Sequence, residues 1–475
     1  MSKSVDSCYS HIRQAFSDCA DFNTRRISFN DGKYAYFLNI GSYTDRDYIS
    51  ESIILPLMRH GSAPSDKSDL FGIITSSELS ELPNADTAIF KLLSGFAVII
   101  TELSEGYGIF TCQVKLVASR SVSEPNSEIV IRGPREGFIE SSEDNLALLR
   151  KRLKTTNFKS LRLVSGELTK TTVYLCYIDG IACPDTIKRV KAQIEEIKLP
   201  GIIDSGYIEH YLQKKSPSLF PNVGTSEKPD VTAAKLMEGR IAIICDGSPV
   251  VLTVPYLFIE SLQSAEDYLK TPIYATFMRF LRFISALIAL YLPAIYLTVI
   301  EHHTSVLPYK LYKTVIELRE DVPFGVFGEL LTVLFIFELI REVGIRMPRA
   351  VGNAVGIVAG LILGDAAISA NLSSAPVIMV ASLTAVCTFI IPDFMNSLVL
   401  LRFTNLIFAG LLGFPGVILS LCFITVCMAR RESFGVPYLM PLSPVRTKSL
   451  TDSLVVLPKS ALSHTENSLY ENGET

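Results

Sequence analysis

No charge of either sign is in excess in this sequence. Lys and Arg number 44 and Asp and Glu 48 among 475 residues, a net charge of −4, so the polycationic footprint of nucleic-acid binders is missing and a dedicated DNA or RNA protein is excluded. Charge as such is also scarce, at 19% of residues against about 25% in ordinary soluble domains. With 48% hydrophobic residues and a mean hydropathy of +0.33, the composition points to a membrane. Paired cysteines are lacking too. The nine cysteines, at 8, 19, 112, 176, 183, 245, 387, 422 and 427, form no C-x-x-C and no Cys/His spacing, which argues against a disulfide framework or a structural zinc site and for a reducing compartment. No apolar run occupies the first sixteen residues, so no secretory signal is expected and the N-terminal region should stay in the cytoplasm. Catalytic signatures are equally absent: there is no G-x-x-x-x-G-K-[ST], no G-x-S-x-G and no H-E-x-x-H. His302 and His303 are adjacent, so on a helix they diverge by about 100° and cannot chelate one ion together. We expect no enzyme, no metal and no cofactor.

What is present is a strongly uneven distribution of apolar residues. Residues 283–300 carry no charge between Arg282 and Glu301 and are long enough for a membrane-spanning helix, kinked at Pro293. Further apolar segments at about 322–340, 350–371, 375–392 and 403–428 complete an expected α-helical polytopic membrane domain over 279–428. Five full crossings from a cytoplasmic N-terminus would place Arg430 and Arg431 outside, against the positive-inside rule. Four crossings with 322–340 re-entrant or interfacial resolve the parity and leave both termini in the cytoplasm. The tail 429–475, rich in Ser, Thr, Asn and Glu over 441–475, is expected to be mobile.

Within this half, Gly352, Gly356, Gly360 and Gly364 recur every four residues. Such a stripe lets another helix approach closely, either inside one subunit or between identical subunits. Asp365 and Glu329 are ionisable groups at membrane depth, which are costly and normally face a partner or water. Asp365 is a candidate for an ion or water pathway, with a buried helix contact and an interfacial position as alternatives. Glu338 is a weaker candidate, since Arg341 three residues on offers it a local ion pair.

The front of the chain reads as α/β with two subdomains, about 1–155 and 165–268. Tyr34–Ile40 and Val173–Ile178 are strand-like and each precedes a helix-period segment, 46–58 and 185–198. The stretches Lys91–Ile100 and Lys235–Ile244, 144 residues apart, each read as a helix end, a glycine and a strand, and each continues into a hairpin. Chance likeness of short apolar motifs is the alternative. Between them, the turn Arg132-Gly133-Pro134-Arg135 precedes a basic helix over 145–153 that carries Arg150, Lys151 and Arg152. This pair could grip phosphate or acidic lipid headgroups or form an inter-subdomain contact.

Four motifs together resemble a known family: Arg132-Gly-Pro-Arg-Glu-Gly-Phe138, Ser218-Leu-Phe-Pro221 before Ser226-Glu-Lys-Pro-Asp230, Glu238–Pro249, and Glu338–Pro348. In order and spacing they are similar to the A subunits of bacterial spore nutrient-germinant receptors, the GerA family, over about residues 17–440. The resemblance implies a multi-pass protein of the spore inner membrane that works with a permease-like B subunit and a lipoprotein C subunit. It also implies self-assembly, as a pentamer, into a nutrient-gated cation channel or signal relay that triggers germination. Two positions depart from the family pattern. Lys228 replaces the usual Arg of Thr-Glu-Arg-Pro-Asp, losing the guanidinium fork, and Asp365 stands where an uncharged polar residue, usually Gln, is expected. A secondary transporter is the alternative from another class; the lack of a repeat inside the membrane half weighs against it. A membrane-anchored enzyme lacks both a catalytic constellation and a need for more than one span.

Overall fold

The computed structural model describes residues 4–76, 79–103, 106–114, 133–214, 219–346, 360, 362–443, 453 and 455–456. The chain divides into two compact units, one holding Met1–Ser216 and Val223–Pro255, the other Pro217–Asn222 and Tyr256–Leu462.

In the first unit α1 (Val5–Ala15) starts at Ser4, whose Oγ accepts the Ser7 N–H at 3.2 Å. β1 (Phe22–Ser28) and β2 (Tyr34–Ile40) follow, then α2 (Arg46–Ile49), a π turn over Ser50–Ile54, and α3 (Leu55–His60). After α4 (Lys67–Ile73) and β3 (Leu79–Glu81) come α5 (Ala85–Leu93), β4 (Phe96–Glu102) and β5 (Tyr107–Gln113). The next elements are α6 (Ser142–Arg152), β6 (Phe158–Ser165), β7 (Thr171–Ile178), α7 (Pro184–Glu195), α8 (Ser205–Lys214), β8 (Gly224–Ser226), α9 (Pro229–Met237), β9 (Ile241–Cys245) and β10 (Val251–Val254).

These elements form two antiparallel five-stranded sheets, ordered β1-β2-β4-β5-β3 and β6-β7-β9-β10-β8. The second order is the first with each strand replaced by its counterpart five places later, and the intervening helices correspond as well. Local chemistry repeats with topology. Gly95 ends α5 at φ +91° and Gly239 ends α9 at φ +95°, the left-handed position that glycine takes after a helix without a Cβ clash. The hairpin glycines Gly106 and Gly247 match in the same way, at +89° and +86°.

Side chains alternate between the two faces of each sheet, and both faces of the first are covered. Val98 and Ile100 of β4 pack with Ile12 of α1 and Leu92 of α5, whereas Ala97 and Ile99 pack with Ile53, Leu57 and Leu70 on the other face. In the second sheet Cys176, Ala242 and Ile244 pack with Leu146 and Leu149 of α6 and Leu236 of α9. Each such fully buried aliphatic side chain contributes about 1.5–3 kcal/mol, which explains why the central strands read as continuous apolar runs.

The second unit is helical, with helices Pro272–His302, Tyr309–Glu317, Val326–Arg346, Ala375–Phe389, Met395–Leu412 and Phe414–Ala429, and residues 362–369 also helical. Two helical stretches, Pro272–His302 and Pro392–Leu412, are long and apolar enough to cross a membrane; Ala375–Phe389 and Phe414–Ala429 are shorter apolar helices. Three expected segments differ from this. The first helix begins eleven residues ahead of 283, at Pro272, and spans 31 residues. The stretch 322–340 is a helix only from Val326, and it continues to Arg346. The run 403–428, expected as one segment, is the end of one helix and most of another: Gly413, at φ +65° and ψ −144°, stops the first, and Pro415 sits in the first turn of the second. A Cβ at Gly416 would run into the Phe408 carbonyl oxygen, so this reversal needs glycine there.

The tail expected to be mobile is packed where it is described. Glu432–Ser433 pairs with Val436–Pro437, and Tyr438 is fully buried beside Phe220 and Phe258. Residues 444–452 and 457–475 of the tail, like Gly352, Gly356 and Arg132, lie outside the described residues.

Candidate functional site

Buried charge, which sequence reading flagged in the helical unit, is gathered there into three clusters. In the first turn of Val326–Arg346, Glu329 is 1% exposed. Its Oε1 accepts from Ser373 Oγ at 3.0 Å, from Ser374 Oγ at 2.6 Å and from the Ser374 N–H, while Arg319 Nε lies 3.4 Å from Oε2. Ser374 is the N-cap of Ala375–Phe389, so Glu329 satisfies donors at a helix N-terminus, where a carboxylate is favoured.

Glu338 pairs with Arg341 at 2.7 Å on its own helix and with Arg402 from Met395–Leu412. Arg402 is 2% exposed and also donates to Thr388 Oγ1 at 3.3 Å. One turn on, Asn405 donates to the Leu290 carbonyl at 3.1 Å and accepts from Ser420 Oγ. Thus one helix face ties four helices together through polar groups. Sequence reading missed Arg402 and Asn405; a lone arginine within an apolar helix, with a glutamate on another, is the signal that could have found them.

The third cluster, also missed, centres on Asp267, just ahead of the first long helix. Its carboxylate is fully buried and accepts from Arg279 Nε at 3.2 Å, from Arg282 Nη1 and Nη2 at 2.7 and 2.9 Å, and from the Ser264 N–H at 3.1 Å. Arg279, itself fully buried, donates in addition to the Ser453 carbonyl at 3.1 Å. The pattern Ser264-x-x-Asp267 is a capping signature legible in sequence.

Asp365 is placed differently. It is exposed, among exposed Ile362, Leu363 and Ile368, and has no hydrogen-bonding or ion-pairing partner among the described residues. Among the described residues, an added Cβ at Gly360 would meet nothing within 4 Å, and at Gly364 only Ile378 Cγ2 at 3.9 Å. No other described residue crowds these two glycines of the stripe.

In the first unit the basic run of α6 splits two ways. Arg150, fully buried, grips Asp21 with a two-pronged pair, Nε to Oδ2 at 2.7 Å and Nη2 to Oδ1 at 2.8 Å. Ser42 and Ser160 hydroxyls complete the carboxylate's partners at 3.1 and 3.2 Å. Asp21 precedes β1 of the first sheet, whereas α6, which ends with Arg150–Arg152, packs on the second sheet through Leu146 and Leu149. The second subdomain therefore begins ahead of α6 and not at about 165, and the pair joins the two subdomains. Burial by itself would lower the Arg150 pKa, but Asp21 outweighs it and holds the guanidinium charged. Lys151 and Arg152 instead reach Glu136, at 3.0 and 2.6 Å. Gly133, Pro134 and Arg135 are exposed, and Phe138 enters the second core. Lys228 is 2% exposed, lies 3.5 Å from Asp230 and caps α9 through its carbonyl.

Lys151, then Arg152, hold the Glu136 carboxyl below its usual range against the opposing effect of burial. Its folded-state pKa is depressed, so the stability it supplies is complete above the unfolded value of about 4.3 and fades as pH falls through the folded value. In Glu136→Gln this part of the acid sensitivity should vanish: the thermal midpoint should fall less between pH 7 and pH 3.5 than in the unaltered chain. The effect is a few tenths of a kcal/mol at this partly exposed site.

Burial disfavours the thiolate at the core cysteines of the first unit. All nine are free, and burial pushes the Cys112 and Cys245 thiols up to about 12.

Comparison with known proteins places this architecture. The Bacillus/Clostridium GerA spore germination protein family matches residues 10–467. Spore germination protein KA of Bacillus subtilis (strain 168) is 33% identical over 465 residues, 96% of this chain and 85% of that one. Spore germination protein A1 of the same organism is 34% identical over 431 residues, 90% and 88% of the two chains. A solved structure, the N-terminal domain of the A subunit of the Bacillus megaterium spore germinant receptor GerK3, aligns with 54% of this chain and 97% of its own at 25% identity and a TM-score of 0.42. Relatives that align across both the sheet-containing unit and the helical unit leave one conclusion: the chain belongs to the GerA spore germination protein family.

Proposed function

We propose that this chain is the A subunit of a spore nutrient-germinant receptor, a multi-pass protein of the spore inner membrane with both termini toward the core. It works with a permease-like B subunit and a lipoprotein C subunit, and copies of it assemble as a pentamer into a nutrient-gated cation channel or relay. The observation that carries the role is the family match over 10–467, with named spore germination proteins aligned across both units. Two features of the helical unit support the channel reading. Asp365 is a carboxylate exposed among apolar side chains, and such a group at membrane depth requires water or a partner. Beside it, Gly360 and Gly364 are not crowded by any other described residue, which leaves room for a second copy's helix. Glu329 and Glu338, engaged with serines and arginines, serve helix docking in this scheme.

Spores carrying the unaltered chain, a deletion, Asp365→Asn or Gly360→Leu provide the test, scored by nutrient-triggered cation release. Deletion should abolish the response to one nutrient class. Asp365→Asn should leave oligomer size unchanged and alter cation release or its pH dependence. Gly360→Leu should spare the monomer's fold, since among the described residues nothing lies within 4 Å of the new carbon, and weaken assembly by about 1–3 kcal/mol, as overpacking does. A deletion without effect on any nutrient response would sink the receptor role; normal behaviour of both point variants would remove this helix from pore and contact alike.

A further inference from the structure

Several helices of the second unit end at one level. Glu301 Oε1 accepts the Phe327 N–H at 3.3 Å, joining the end of the first long helix to the start of Val326–Arg346. At the Gly413 reversal, an added Cβ would come 2.9 Å from His302 Cδ2, and His303 meets Phe414 edge to face with ring centres 6.0 Å apart. Glu329 bonds the N-cap of Ala375–Phe389 at the same end. The short helix Tyr309–Glu317 begins six residues beyond His303, and Arg319 just after it lies 3.4 Å from Glu329, which places this segment near the same end.

That helix is sharply two-faced. At about 100° per residue, Lys310, Lys313, Thr314 and Glu317 fall within one arc of about 100°, and apolar or tyrosine side chains fill the rest. Only the centre of the apolar arc is covered by the protein, at Val315, which is 8% exposed. Its flanks are open: Tyr309 is 77% exposed and Ile316 45% on one side, Leu311 and Leu318 50% each on the other. Nine residues seldom hold a helix in water on their own, and exposed apolar flanks beside a lysine-bearing face suit the boundary between headgroups and acyl chains, where tyrosine concentrates and lysine stems extend toward water. The long helices also expose apolar side chains, Ile295 and Phe335 among them.

We propose that Tyr309–Glu317 is an interfacial helix that rests on the lipid surface, its exposed apolar flanks among the upper acyl carbons and its lysine arc in the headgroup layer. This rests on the membrane reading above. The chain contains no tryptophan, so one introduced indole reports one place. Full-length Tyr309→Trp, Thr314→Trp and Leu287→Trp would be reconstituted into phosphatidylcholine–phosphatidylglycerol vesicles whose lipids carry bromine near the headgroup or near the acyl-chain end. Leu287, 42% exposed within the first long helix, gauges the membrane reading itself. Expected are strong quenching of Tyr309→Trp by headgroup-proximal bromine, quenching of Leu287→Trp by the deep label, and quenching of Thr314→Trp mainly by aqueous acrylamide. Ile316→Trp reports on the same flank if Tyr309→Trp does not accumulate. Acrylamide quenching of Tyr309→Trp as complete as that of Thr314→Trp, with Leu287→Trp still quenched from lipid, overturns the interfacial helix alone, and so does quenching of Tyr309→Trp chiefly by the deep label. A Leu287→Trp indifferent to all brominated lipid overturns the membrane reading and the interfacial helix with it.

Discussion

Asp267→Ala is expected to prevent the chain from accumulating in a folded form. The substitution leaves Arg279, fully buried, and Arg282, 12% exposed, with their shared carboxylate removed. Breaking a buried pair from one side costs about 3–5 kcal/mol, because the remaining charge stays desolvated without compensation. Here two guanidiniums lose the same partner, and the Ser264 N–H loses its acceptor as well. Asp267→Asn retains volume and one acceptor oxygen, so it should fall between. The measurement is the fraction of full-length chain extracted as a monodisperse species in mild detergent, together with its thermal midpoint. Unaltered extraction and midpoint for Asp267→Ala would mean that the cluster adds nothing to stability.

The second large effect is expected at Arg150→Ala. Its guanidinium and Asp21 are both buried, hold each other through two bonds, and connect parts of the chain 129 residues apart. A loss of about 3–5 kcal/mol should lower the thermal midpoint on the order of 10 °C and raise hydrogen exchange where the two subdomains meet, at residues 18–21 and 158–160. Arg152→Ala, two positions away and paired with Glu136 at a partly exposed site, should cost under about 1 kcal/mol. The double variant Asp21→Asn with Arg150→Gln should cost less than the two singles added together, a coupling that a thermodynamic cycle would read directly. Equal costs for Arg150→Ala and Arg152→Ala would place no special weight on the buried pair.

The repeated subdomain was legible in the sequence where local chemistry forces the conformation. Gly95 and Gly239 each follow a helix and stand just ahead of a run of five apolar residues, 96–100 and 241–245, a combination with few alternatives. The helical stretches after β2 and β7 were legible for the same reason. The outer strands β3 and β8 were not: three residues carry no periodicity. Nor could sequence distinguish Arg150 from Lys151 and Arg152, because which of three adjacent cations is buried depends on Asp21, which lies in a loop without a pattern of its own. In the helical unit the charged positions 329, 338 and 365 stood out, and so did Arg341 as the near partner of Glu338, but Arg319, Ser373 and Arg402 did not, since tertiary packing brings them there. The helix reversal at Gly413 was hidden for a different reason. In a run of apolar residues that all suit lipid, hydropathy does not change where a helix ends, and only the Gly413-Phe-Pro415-Gly416 cluster marks the place.

The way the two like subdomains meet sets a boundary on their arrangement. Ahead of β1, Cys19 bridges Ser160 of β6 in parallel, with Ala20 N–H donating to the Ser160 carbonyl at 2.9 Å and Ser160 N–H to the Asp18 carbonyl at 3.1 Å. The first copy thus lends a short stretch of backbone to the outer strand of the second, and β1, the equivalent outer strand, receives none from the second copy among the described residues. The contact is head to tail, and with only two like units such a relation leaves one edge without a partner unless the rotation closes a ring. One outer edge therefore stays open at the front of the array, and the chain ends it as a solenoid ends its last repeat, with polar side chains: β1 presents Asn23, Thr24, Arg25 and Arg26 to solvent, charges that discourage a third strand-bearing surface from adding to the row.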